Sequence, residues 1–241
     1  MIMSILNEIY KKAQNASSPE AAVIFDLDDT IFDSRYRKLK IINDFADALS
    51  QPEDAERRNF LKKITLNDLG FNIRESLINK GMDDEPLLND VVQFWHKEYF
   101  TNESCLHDQQ VPGALEYVNA IHSCGVFVVY LTGRDVPGML EGTKTKLPSA
   151  GFPFDDRTLL ICKPDSNTKD RDFKESALQD LEQRYNVLAA FDNEPENVNV
   201  KMKILKNAEV VWLNTRYSNR LERPDECVNE IEDFSSFSFS G

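Results

Sequence analysis

The sequence predicts an α/β protein with a doubly wound parallel sheet and a helical subdomain inserted after its first strand. Apolar runs without polar alternation are typical of parallel strands buried on both faces, and five occur here: Ala21–Phe25, Val126–Leu131, Thr158–Cys162, Val187–Phe191 and Glu209–Leu213. Helical periodicity separates the later runs, which indicates βαβ units. The roughly 100 residues between the first two runs are too long for one crossover helix.

Each helical segment is predicted from apolar residues at helical spacing. In the core these are Ala114, Leu115, Val118 and Ile121, then Phe173, Ala177, Leu178, Leu181 and Tyr185. In the long connection the clearest helices are Lys38–Leu49, Arg57–Lys63 and Glu85–Tyr99. We therefore expect residues 1–33 and 107–241 to form the core and residues 34–106 a helical cap. The final SSFSFSG is low in complexity and predicts a frayed end.

Composition excludes several classes of partner. The 241 residues carry 41 acidic against 28 basic side chains, a net charge of −13, which disfavours binding to nucleic acid or anionic membranes. No stretch approaches the roughly 18 to 20 apolar residues of a membrane span. The N-terminal MIMSILNEIYKKAQ predicts an amphipathic helix and lacks the basic region of a signal peptide. Four widely spaced cysteines favour reduced thiols, so a cytoplasmic location is expected.

The segment FDLDDTIFD after the first strand is the most informative for chemistry. On an extended backbone Asp26 and Asp28 lie about 6.6 to 7 Å apart on one side. They face the crevice where open α/β sheets bind ligands. Adjacent carboxylates there need a neutralising cation, which implies a hard divalent ion such as Mg²⁺. The alternative is an acidic turn that caps a helix through Asp29 or Thr30.

Three downstream features favour a ligand-binding site over a turn that only caps a helix. The second run ends at Thr132 and Gly133, a hydroxyl and an amide suited to binding phosphate oxygens. Lys174 lies in the first helical turn, where the helix dipole disfavours a cation, so another partner is expected. A solvated surface lysine is the alternative. The fourth run ends in further acids, namely Asp192, Glu194 and Glu196.

In this order the elements resemble the four motifs of the haloacid dehalogenase-like (HAD) hydrolase superfamily. Asp26–Thr30 resembles motif one, Thr132 motif two, Lys174 motif three, and Asp192 with Glu196 motif four. They are separated by 106, 42 and 18 residues. The resemblance implies a Rossmann-like core with a helical cap that closes over the site and selects the substrate. VPGALEYVNAIHSCGVFVVYLTGRD also resembles the acid-phosphatase branch.

The resemblance implies a role for each motif residue. Asp26 is the expected nucleophile and forms an aspartyl-phosphate. Asp28 protonates the leaving oxygen and then activates water. Thr132, the Gly133 amide and Lys174 bind phosphate oxygens. The resemblance assigns Mg²⁺ to Asp26, the Asp28 carbonyl, Asp192 and Glu196.

Two assignments stay open at this point. Lys163 is the alternative to Lys174 as the motif-three lysine, because it ends the LLICKP segment. The family more often carries Asp at the position of Glu196, so the adjacent Asn197 is an alternative partner for the metal. A weaker expectation places Arg134 on a second anionic group of the substrate, with Asp135 or another local acid as an equal alternative.

The sequence thus predicts a Mg²⁺-dependent phosphatase that acts on a small phosphate monoester. A phosphomutase of the same superfamily and a non-catalytic regulatory module that binds metal or phosphate are the alternatives. The basic run Arg35, Arg37, Lys38 and Lys40 is expected to be a solvated helix face, or else a guide for an anionic substrate. Substrate identity and oligomeric state are not predicted. About half of the negative charge is expected to belong to a cation site.

Overall fold

The structure is a computed structural model that describes residues 4–218 and 222–239. Its helices are α1 Ile5–Gln14, α2 Arg35–Ala48, α3 Ala55–Leu61, α4 Ile73–Asn79, α5 Glu85–Tyr99, α6 Asn102–Cys105, α7 Ala114–Ser123, α8 Val136–Ser149, α9 Asp170–Arg184 and α10 Pro195–Ile204. Its strands are β1 Ala21–Phe25, β2 Phe32–Asp33, β3 Gln109–Gln110, β4 Phe127–Asp135, β5 Thr158–Lys163, β6 Asn186–Asp192, β7 Glu209–Leu213 and β8 Asn229–Ile231.

Six strands form one parallel sheet in the order β5-β4-β1-β6-β7-β8. The chain runs outward from β1 through β4 to β5 and then returns to β6 on the other side of β1. The strand order therefore reverses at β1, and ligands of such sheets bind beyond the carboxyl ends of the strands at this point. The predicted fold class, a Rossmann-like doubly wound sheet, is confirmed. The short strand β8 was not predicted from the sequence.

The core lies on both faces of this sheet because side chains of β1 alternate between them. Ala21, Val23 and Phe25 belong to one apolar cluster, which α1 and α7 cover. Ala22 and Ile24 belong to the opposite cluster, which α9 and α10 cover. All five residues of β1 are fully buried, so this strand gives the residues after it a rigid base.

Residues 35–105, called the helical insert below, hold α2 to α6 and an apolar cluster of their own. At its base the short strands β2 and β3 pair antiparallel, with Phe32 opposite Gln110 and Asp33 opposite Gln109. The two chain segments that enter and leave the insert are thus held side by side. The predicted domain boundaries, 34–106 for the cap and the remainder for the core, stay a prediction.

The segment SSFSFSG, expected to be frayed, is described only as far as residue 239, and residues 240 and 241 lie outside the described ranges. Within it the ring of Phe237 lies 5.3 Å from that of Tyr10 in α1, and Phe234, just before it, is buried. Aromatic side chains spaced through the serines supply this packing, and composition alone did not indicate it. Within the described ranges, no helix combines the length and apolar character that a membrane crossing requires.

Candidate active site

The segment after β1 is a tight turn that places the carboxylates of Asp26 and Asp28 at the carboxyl end of the sheet. The amides of Thr30, Ile31 and Phe32 all donate to the carbonyl of Leu27. Asp29 adopts a left-handed backbone with φ of 56°, a conformation that aspartate tolerates better than most residues. Its carboxylate accepts hydrogen bonds from the Ser34 hydroxyl and from Arg216. Asp29 therefore stabilises the turn.

Asp26 lies directly beyond β1 in a group of four buried ionised side chains. Lys174 Nζ donates to Asp26 Oδ1 at 2.7 Å and to Asp192 Oδ2 at 2.9 Å. Lys201, fully buried in α10, donates to the same Asp192 oxygen. We call Asp26, Asp192, Lys174 and Lys201 the lysine quartet. The set is electrically neutral when all four groups are ionised.

Burial sets the protonation of the lysine quartet. Burial raises the pKa of Asp26 to about 7; Lys174 opposes the rise and Asp192 adds to it. Burial would also raise the pKa of Asp192, but Lys174 and Lys201 hold that pKa well below its ordinary value. Burial lowers the pKa of Lys201, and its contact with Asp192 counteracts this. Asp192 is thus the more firmly ionised of the two carboxylates.

Asp28 belongs to a second neutral group, the arginine quartet of Asp28, Asp108, Arg37 and Arg134. Arg134 donates to both Asp28 oxygens at 2.9 Å, and Arg37 also contacts Asp28. Both guanidinium groups also bind the fully buried Asp108. Burial alone would raise the pKa of Asp28, but the two arginines bring it well below its ordinary value.

The arginine quartet changes the interpretation of three basic residues. Arg134 was expected to meet a second anionic group of the substrate, with Asp135 or another local acid as the alternative; it is buried and binds the acids Asp28 and Asp108. Asp135 instead caps α8 by accepting from the Gly138 amide at 2.8 Å. Arg37 and Lys38 were expected on a solvated helix face, and both are buried. Their burial is possible because carboxylates or carbonyl oxygens accept from both.

Thr132 and Gly133 lie at the end of β4, beside the quartets. The Thr132 hydroxyl is buried and accepts a hydrogen bond from the Arg134 amide at 3.2 Å. Gly133 lines the cleft that contains Asp26 and Lys174. The structure thus brings both predicted phosphate-binding residues to the edge of the sheet that holds the candidate nucleophile.

The residues of the two open assignments lie at different distances from Asp26 and Asp192. Lys163 donates to Asp170 at 2.7 Å, whereas Lys174 contacts Asp26 directly, so the geometry favours Lys174 as the lysine that acts on the nucleophile. Asn197 lies 3.5 Å from Asp192 through its amide nitrogen. Glu196 is 3.1 Å from Arg171 at the rim of the cleft.

A cleft of about 1050 Å³ opens above these groups and reaches from the sheet edge to the helical insert. Its insert side is aromatic, formed by Phe71, Trp95, Tyr99 and Phe100. Lys38 holds the Phe71 loop in place by donating to the carbonyls of Gly70 at 2.9 Å and Phe71 at 3.2 Å. Among the described buried side-chain polar atoms, Trp95 Nε1 alone has no hydrogen-bond partner. The cleft therefore pairs a charged floor with an aromatic wall.

The fit of a divalent metal depends on the donor atoms and on the charge around them. Carboxylate oxygens of Asp26 and Asp192 are hard donors of the kind Mg²⁺ prefers. Across residues 4–218 and 222–239, however, no three His, Cys, Asp or Glu side chains are grouped as a metal site. Lysine and arginine side chains also pair with these carboxylates and with Asp28. The donors suit Mg²⁺, while the surrounding charge is already balanced.

Sequence reasoning missed three members of the quartets. Lys201 follows Asn197 by four residues, so both lie on one face of α10, and this spacing beside motif four was a usable signal. Arg37 was noticed only as part of a basic run. Asp108 lies between the insert and α7, in a segment whose residue pattern indicates no chemistry.

Comparison with known proteins agrees with this geometry. Residues 88–199 match the family described as HAD superfamily, subfamily IIIB (acid phosphatase). The match includes Thr132, Lys174 and Asp192, while Asp26 and Asp28 precede it. In its fold, and over residues 88–199 in its sequence, the chain is similar to the haloacid dehalogenase-like superfamily. The family match supports phosphoric monoester hydrolysis as the activity.

Solved structures share the fold at low identity. Protein tyrosine kinase A of Mycobacterium tuberculosis superimposes with a TM-score of 0.55 at 15% identity, over 92% of this chain and 97% of the other. A HAD-superfamily hydrolase of subfamily IA from Geobacter sulfurreducens gives 0.51 at 13% identity, over 91% and 95%. At this identity the likeness concerns the fold alone. No curated protein sequence matches this chain closely enough to be called a relative.

Proposed function

We propose that this protein is a Mg²⁺-dependent phosphatase that hydrolyses a small phosphate monoester through an aspartyl-phosphate on Asp26. The observation that carries the proposal is the Asp26 carboxylate at the end of β1, which is in contact with Lys174 and opens into a large cleft. A carboxylate attacking an anionic phosphate needs nearby positive charge to offset their repulsion. Lys174 is positioned to provide part of it.

In the first step, Asp26 attacks phosphorus and the leaving oxygen takes a proton from Asp28. Arg37 and Arg134 keep Asp28 ionised when the cleft holds no substrate. The negative charge of a bound phosphate favours protonation of this carboxyl, as any nearby anion does. In the second step, ionised Asp28 accepts a proton from the water that attacks the aspartyl-phosphate.

The phosphate oxygens are bound by the Thr132 hydroxyl, the Gly133 amide and Lys174 in this proposal. A bound Mg²⁺ would be held by Asp26, the Asp28 carbonyl and Asp192, with Glu196 or Asn197 nearby, and supplies charge to the phosphoryl oxygens. The leaving group of the substrate lies against the aromatic wall. Residues 34–106 serve as the cap that selects this group.

The same observations favour a catalytic site over a non-catalytic module. A non-catalytic module has no need of a nucleophile beside a buried lysine, and this pair is intact here. A phosphomutase would use the same first step and then transfer the phosphoryl group back to the substrate. A cytoplasmic location stays a prediction from the sequence, which cell fractionation tests.

Turnover of p-nitrophenyl phosphate tests the proposal. We expect release of p-nitrophenol and free phosphate that depends on added Mg²⁺ and is lost in Asp26→Asn. Asp44→Asn is the matched control, because Asp44 is an exposed aspartate paired with Lys40 on α2. Equal turnover of Asp26→Asn and the control, or no turnover with any divalent ion, would contradict the proposal. Isomerised sugar phosphate without free phosphate would identify a phosphomutase.

A further inference from the structure

Lys201 occupies an unexpected position for a lysine beside a metal-binding carboxylate. Its side chain is fully buried in α10, and its ammonium contacts Asp192 Oδ2. The same oxygen accepts from Lys174 at 2.9 Å, so two ammonium groups share one carboxylate oxygen. The other Asp192 oxygen accepts from the Glu194 amide at 3.0 Å. Asp192 is thus largely committed to partners within the protein.

The lysine quartet leaves no net negative charge of its own for a cation to neutralise, and the neighbouring Glu194 carboxylate accepts hydrogen bonds from Ser218. Asp26 and Asp192 are balanced by Lys174 and Lys201 within the lysine quartet. At the rim, Glu196 is paired with Arg171. A divalent cation that enters the lysine quartet would be repelled by its two ammonium groups. This repulsion is weakly screened because the groups are buried. A phosphate dianion arriving with the cation removes this imbalance, because the two added charges cancel.

We propose that Lys201 couples the two ligands of the site, so that a divalent metal binds tightly only together with phosphate. The proposal rests on the proposed phosphatase function, because it takes Asp26 and Asp192 as the metal ligands. Lys201 acts as a positioning residue that holds Asp192. Its positive charge repels a metal ion that binds without phosphate. The coupling is reciprocal, so the metal also raises the affinity for phosphate.

The test is Mn²⁺ binding to the whole protein, followed by the electron paramagnetic resonance of free Mn²⁺, with and without inorganic phosphate. For the wild type we expect phosphate to tighten Mn²⁺ binding by about tenfold or more, within the usual range of coupling between sites. In Lys201→Gln we expect Mn²⁺ to bind more tightly without phosphate, and the effect of phosphate to fall below about threefold. Lys203→Gln is the matched control, because Lys203 is exposed two residues along the same helix.

A variant that keeps the charge guards against a simple loss of folding. Lys201→Arg should retain the coupling, and circular dichroism of all three variants should match the wild type. Equal Mn²⁺ affinity of the wild type with and without phosphate would overturn the proposal, as would identical behaviour of Lys201→Gln and Lys203→Gln. If turnover depends on Mg²⁺ but phosphate does not change the affinity for Mn²⁺, only the proposed role of Lys201 is rejected. The phosphatase proposal is then unaffected.

Discussion

At the scale of single residues, the site is organised by pairs of opposite charge whose members are far apart in the sequence. Lys174 lies 148 residues from Asp26, and Arg134 lies 106 residues from Asp28. Both basic side chains are nearly fully buried. Removing one member of such a pair leaves an uncompensated charge in the interior, which is more costly than losing a surface ion pair. Substitutions at the quartets therefore affect folding as well as chemistry.

The raised pKa of Asp26 predicts how the stability of the metal-free protein depends on pH. Its folded pKa of about 7 exceeds the ordinary value of 3.8. The folded protein therefore holds this proton more firmly than the unfolded chain, and the contribution of Asp26 to stability is lost as pH rises from about 4 to 7. The loss is at most about 1.4 kcal/mol per pH unit. Urea unfolding in EDTA across this range measures it.

Asp26→Asn provides the comparison for this titration, because the amide has nearly the same shape and does not ionise. We expect wild type and variant to be closest in stability near pH 4, and the variant to become relatively more stable towards pH 7. Parallel stability curves for the two proteins would contradict the raised pKa of Asp26.

At the scale of elements, the helical insert is attached to the site through α2. This helix carries Arg37, which reaches Asp28 and Asp108, and Lys38, which holds the carbonyls of Gly70 and Phe71. Helix α2 thus contacts both Asp28, beside the proposed nucleophile, and the Phe71 loop of the aromatic wall. Its two buried cations explain why it begins at Arg35, three residues before the predicted start at Lys38.

Lys38→Met should disturb the wall while leaving the floor of the cleft intact. The substitution keeps the length of the side chain but removes the donor to two backbone carbonyls, so the Phe71 loop loses its support. We expect KM for an aryl phosphate to rise about tenfold, with a smaller change in kcat. Steady-state kinetics measure both constants. Lys40→Met on the exposed face of α2 is the control, and equal kinetics of the two variants would show that Lys38 does not position the wall.

Gly142 permits the close approach of α8 to the end of the insert at α6. A Cβ atom at this position would lie 2.1 Å from the Asn102 carbonyl oxygen. Gly142→Ala should therefore force the two backbones apart and destabilise the protein by about 1 to 3 kcal/mol in urea unfolding. At Gly70 a Cβ atom would meet only Ser76 Oγ at 3.6 Å, so Gly70→Ala serves as the control. A Gly142→Ala protein as stable as that control would contradict the close approach.

At the scale of the whole molecule, the sequence predicts the sheet well because local patterns encode it. Buried runs mark Ala21–Phe25 and Glu209–Leu213 at their observed bounds, and the helix Glu85–Tyr99 also agrees. The strand Asn229–Ile231 was missed because it has only three residues and is half exposed. The helix α2 begins three residues before its predicted start, in a turn that includes the buried Arg37, which apolar periodicity ignores.

The partners of the site residues could not be predicted in the same way. The motif residues can be recognised in the sequence because they are polar side chains at the ends of predicted strands. Asp108 and Lys201 join the site only through contacts formed in the folded protein. The assignment of about half of the negative charge to a cation site stays a prediction. Buried lysines and arginines also pair with acids at the crevice, and the sequence did not indicate these pairs. The net charge of −13 therefore cannot be divided between site and surface by counting the acids near the motifs.

The central claim is that Asp26 forms a covalent phosphoryl intermediate. The most direct measurement is rapid acid quenching during turnover of a phosphate ester that carries radioactive phosphorus, followed by peptide mapping. We predict label on the peptide that contains Asp26, released by hydroxylamine as expected for an acyl phosphate, and none in Asp26→Asn. Label on another peptide, or turnover with no labelled protein in the wild type at any quench time, would contradict the account.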